Sequence, residues 1–99
     1  MEKQTHDPKR RVLRELLRDL RREQGLRQAD VAARVGEPQS FVSKYETGER
    51  RLDVIALREV CHVLGVSLAE FAERLEARLA ASGGRGGSRR RRGAPSDRS

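Results

Sequence analysis

Apolar residues fall along the chain in five packets with helical spacing, separated by glycine and proline, and no alternating run of the β type competes with them. The first packet opens on Asp7, suited to cap a helix, and Pro8, suited to the first helical position, and runs to Gln24 before Gly25. Leu13, Leu17 and Leu20 form its apolar stripe. The second packet, Gln28 to Val35, is stopped by Gly36, and the third begins with Pro38 and ends before Gly48. Asp53 caps a fourth, in which Leu57, Cys61 and Leu64 share a face before Gly65. Ser67 and Glu70 make a capping box for a fifth, whose Leu68, Phe71, Ala72, Leu75 and Leu79 recur as far as Ala81. The pattern predicts an all-α domain over residues 7–81.

Outside those limits the chain changes character. Residues 1–6 read as a flexible N-terminus. From Ser82 to Ser99, glycine, serine, arginine and proline leave nothing to bury, which predicts a disordered basic tail. That tail carries +5 of the formal +7, so the predicted domain itself is close to balanced and bulk charge does not identify its partner. Arginine outnumbers lysine nineteen to three, which lowers the information in any single arginine. The run Arg89 to Arg92 fits a non-specific DNA anchor and a solvated tail equally well.

The single cysteine, Cys61, has no partner for an internal disulfide and reads as core; with His62 it falls short of the roughly four ligands of a structural zinc site. No metal or cofactor is expected. Neither a nucleophile–base arrangement nor a phosphate-cradling glycine loop is evident, so no active site is expected either. The absence of an export signal and of an apolar run near twenty residues leads to the expectation of a cytoplasmic, nucleoid-associated protein with no membrane partner.

Gln28, Ala32, Gly36, Gln39, Ser40, Val42, Ser43, Glu46 and Gly48 occur at spacings with a joint physical explanation. Two short helices cross closely at small Ala32, and Gly36 supplies the positive φ of the tight turn between them. Val31, Val35, Val42 and Tyr45 then face inward, and Gln39, Ser40, Ser43 and Lys44 lie on the outer face of the third helix. Phe41 fits contact with a thymine methyl and packing against the first helix equally.

Over Leu20 to Phe71 the sequence resembles the phage repressor/Cro (lambda-repressor-like, XRE) family of helix-turn-helix domains, through the stretch LRQADVAARVGEPQSFVSKYETGERRLDVIALREVCHVLGVSL. The resemblance implies a five-helix bundle with its third helix in the major groove of DNA and its second across the backbone. It implies that Gln39 is the main base reader, able to pair with adenine N6 and N7, with Ser40, Ser43 and Lys44 as neighbouring readers. Gln28 is implied to orient on a phosphate, and Arg50 and Arg51 are placed for phosphates of the next strand. Arg21 and Glu46 occupy positions that form a buried ion pair in some relatives.

The function expected from these residues is sequence-specific transcriptional regulation, as a repressor on two-fold operator DNA. The expected partners are double-stranded DNA, a second copy of the chain docked through the fifth helix, and a regulatory protein. Two other readings use the same fold: a protein-binding adaptor, and a non-specific nucleoid-associated DNA binder.

Overall fold

The computed structural model describes residues 7–83, and these form five α-helices and no strand: α1 Pro8–Glu23, α2 Gln28–Val35, α3 Gln39–Thr47, α4 Val54–Val63 and α5 Leu68–Gly83. The expected flexible N-terminus and the Arg89–Arg92 run lie outside the described residues. At the junction the structure differs from expectation, since α5 continues through Ser82 to Gly83.

Local chemistry sets most boundaries. The Asp7 carboxylate accepts from the Lys9 and Arg10 backbone N–H groups at 3.0 and 3.3 Å, satisfying donors that the first turn of α1 leaves unpaired. Asp53 does the same for Ala56 at 2.8 Å. At α5 the capping box is reciprocal: Glu70 N–H donates to Ser67 Oγ and Ser67 N–H to Glu70 Oε1, both at 3.0 Å. Pro38 departs from its expected helical place. It sits in extended backbone at φ −67° and ψ 157°, capping α3, whose first residue is Gln39.

The helices wrap one core. Leu16, Leu17 and Leu20 of α1 meet Val42 and Tyr45 of α3 and Val60 and Cys61 of α4, all nearly inaccessible to water. Leu16 extends the expected stripe, because positions 13, 16, 17 and 20 complete the i, i+3, i+4, i+7 pattern. α2 packs on α3 and α4, while α1 packs on α3 and α5. Arg78 of α5 ties to Asp19 of α1 at 3.0 Å across the half-exposed edge of that last contact.

On the fifth helix Phe71 is 1% exposed and Leu75 is partly buried against the core, while Leu79 further along is half-buried. The large apolar side chains that do stand out among the described residues are Val54 and Ile55, at the start of α4. No described helix is long and apolar enough to cross a membrane.

Candidate nucleic-acid interface

The α2–α3 turn is built by Gly36. Its backbone at φ 77° is a conformation that a Cβ disfavours, and it lets Glu37 N–H reach back to Ala32 carbonyl at 2.9 Å, closing α2. With Ala32 only 2% exposed at the crossing, α2 and α3 approach closely. The turn therefore fixes the angle at which α3 leaves the bundle.

At about 100° per residue, Phe41, Val42 and Tyr45 share one side of α3, and Gln39, Ser40, Ser43 and Lys44 the other. The first three are buried. Gln39, Ser40 and Lys44 are exposed and Ser43 is half-buried, so the four expected readers lie together on one arc. Ser43 Oγ donates to the Ser40 carbonyl at 3.2 Å, which leaves its oxygen to act as an acceptor. Phe41 resolves toward the core: it is 6% exposed and meets Tyr45 edge-to-face at 5.5 Å.

Behind that arc lies an ionic cluster. Arg21 Nε and Nη2 donate to the two oxygens of Glu46 at 2.7 and 3.0 Å, and Arg21 Nη1 donates to the Leu26 carbonyl at 3.0 Å. Gln28 Nε2 adds a bond to Glu46 Oε1 at 3.0 Å. One carboxylate of α3 thus holds the end of α1 and the start of α2 together. Glu46 in turn raises the Arg21 pKa by its hydrogen bonds, keeping the guanidinium charged. One N–H of the Gln28 amide, the side chain expected to orient on a phosphate, is thus taken by Glu46, and the amide's second N–H takes no part in that bond.

Exposed cations bracket the α2–α3 pair along the chain. Arg50 and Arg51 are exposed in the segment after Gly48, and the Arg50 guanidinium lies 4.9 Å from the centre of the Phe41 ring. Sequence reasoning did not anticipate this contact, because it links a loop cation to a ring buried one helix earlier. Arg27, also exposed, is tied to Asp30 at 3.0 Å at the start of α2. The Asp30 carboxyl is lowered to about 2 by its hydrogen bonds with the Arg27 side chain and backbone. Sequence reasoning also missed Arg10 and Arg14, whose four-residue spacing puts them on one face of α1, near Arg50 and Arg51.

The family model for helix-turn-helix domains matches residues 17–71, which is the span from the middle of α1 to the start of α5. The chain belongs to the XRE-type helix-turn-helix family. A protein from Sinorhizobium fredii (strain NBRC 101917 / NGR234), the uncharacterized HTH-type transcriptional regulator y4dJ, is 48% identical over 52 residues, covering 52% of this chain and 68% of that protein. Among solved structures, an XRE-family like protein from Pseudomonas syringae pv. tomato str. DC3000 is similar with a TM-score of 0.69 and 42% identity, over 78% of this chain and 94% of that one. The clp gene regulator ClgR from Corynebacterium glutamicum is similar with a TM-score of 0.68 and 25% identity, over 76% of this chain and 80% of that one. The family fold therefore extends beyond the matched residues to most of the described chain.

Proposed function

We propose that the chain is a sequence-specific DNA-binding transcriptional regulator that represses by occupying operator DNA, with α3 in the major groove. The observation that carries the reading is the exposed polar arc of α3, fixed on a buried apolar face. Gln39 offers an amide that donates to and accepts from one adenine edge, and Ser40, Ser43 and Lys44 read beside it. Arg50 and Arg51 neutralise phosphates, and Gln28, held by its bond to Glu46, orients on a phosphate at the start of α2. The relatives described as regulators support this reading.

A helix of nine residues is about 13 Å long, or about four base-pair steps. The reading therefore includes a second copy of the chain, on a half-site about one helical turn away.

Selection of bound sequences from a random duplex pool at moderate salt tests the proposal. The expected result is a two-fold motif. Unselective retention would instead identify a non-specific DNA binder, and no retention an adaptor that docks on protein. A reporter placed behind the selected site is expected to lose expression when the chain is supplied; a gain would overturn the repressor assignment.

A further inference from the structure

On the flank of the bundle, between α1, the end of α3 and the segment leading into α4, lies a cavity of ≈ 130 Å³. Leu13, Leu17 and Leu57 supply apolar wall, and four cationic residues, Arg10, Arg14, Arg50 and Arg51, also line it. None of the residues lining it is acidic. Gly48 forms part of the wall, and a Cβ there would stand 3.0 Å from Arg14 Nη1, so glycine lets that guanidinium lie against the chain.

Two side-chain polar atoms of residues lining this cavity are buried, with almost no accessible surface and no hydrogen-bond partner among the described residues. One is the hydroxyl of Tyr45, a wall residue only 2% exposed; the other is Nε of Arg14. Both can donate, and burial pushes the Tyr45 pKa up, which keeps its proton in place at neutral pH. Unpaired buried donors beside an apolar space with a cationic rim call for an acceptor that carries negative charge and an apolar body.

We propose that this cavity binds a small organic carboxylate with a single-ring or short branched apolar body. The size follows from the volume, since an apolar cavity of roughly 150 Å³ takes up benzene. The carboxylate accepts from Arg14 and Tyr45 once these side chains turn toward it, since neither the Arg14 Nε nor the Tyr45 hydroxyl has appreciable accessible surface in the structure, and the apolar body lies against Leu13, Leu17 and Leu57. Arg50 and Arg51 also belong to the proposed phosphate contacts, so an occupied cavity draws them from DNA and weakens operator binding. That consequence alone rests on the DNA-binding reading.

The test is calorimetric titration of the full chain with benzoate, without DNA. Saturable binding at one site is expected, with benzamide and inorganic phosphate each roughly tenfold weaker or more. Tyr45→Phe keeps the ring and its packing; it is expected to melt at or above the wild-type temperature yet bind benzoate several-fold less tightly. Arg14→Met, which keeps most of the stem, is expected to lose about tenfold. No benzoate binding, phosphate binding as tight as benzoate, benzamide binding as tight as benzoate, or unchanged affinity in both variants would each overturn the site. With a selected duplex, saturating benzoate is expected to weaken DNA affinity several-fold. Equal DNA affinity with and without it overturns the coupling. A duplex that never binds overturns the DNA reading, while the titration without DNA still decides the cavity.

Discussion

Arg21 and Glu46, twenty-five residues apart, meet as a two-pronged guanidinium–carboxylate pair with side chains only 11% and 5% exposed. The pair joins α1 to the helix that carries the exposed polar arc. It therefore couples stability to the placement of that arc.

Removing one partner strands the other charge away from water. Glu46→Ala is expected to destabilise by ~3–5 kcal/mol, and at roughly 4–8 °C per kcal/mol for a domain of this size to lower Tm by about 12 °C or more. Thermal unfolding followed by circular dichroism checks this. Arg21→Met combined with Glu46→Leu is expected to recover most of the loss, because no buried charge remains unpaired.

Gln39 is exposed and contributes little to the core. Gln39→Ala is expected to change stability by no more than about 0.5 kcal/mol while relaxing discrimination at one adenine position by ~1–3 kcal/mol. Binding isotherms on single-base variants of the selected duplex measure both the loss and its position.

Arg50 and Arg51 should act on all duplexes alike. Alanine at either is expected to reduce the slope of log affinity against log salt by about 1, with no change in base preference. Arg50→Ala also removes the cation over Phe41, so it is expected to lower Tm slightly more than Arg51→Ala.

Asp30 gives acid sensitivity. Its folded pKa of about 2 lies below the ordinary 3.8, so between these values the unfolded chain binds more protons and stability falls as pH falls. The contribution is complete above about pH 4 and disappears on acidification through pH 2. Asp30→Asn is expected to flatten part of the fall of Tm across that window.

Cys61 is buried and its thiol is pushed up to about 11 by burial. At neutral pH it is expected to resist iodoacetamide in the folded chain and to react once the bundle opens, so its labelling rate should follow denaturant-induced unfolding.

The number of helices, their order and most of their ends were legible in the amino-acid sequence. Asp7, Gly36, Gly48, Asp53 and the Ser67–Glu70 pair act on backbone groups within a few residues, and such local hydrogen bonds and φ preferences leave a mark at fixed short offsets. The inward side of α3 was legible for the same reason, since one helical period decides it. Pro38 shows the limit: its fixed φ suits a cap and a first helical residue alike, and only ψ separates them.

What required the tertiary structure is everything that joins residues far apart in the chain. The inward turn of Phe71, the Gln28 amide on Glu46, the Arg50 cation over Phe41 and the gathering of Arg10 and Arg14 with Arg50 and Arg51 depend on how helices cross. Helical periodicity tells which side of a rod is apolar but carries no information about which rod it meets, or at what angle. Those are settled by packing the five rods around a shared core of fixed volume.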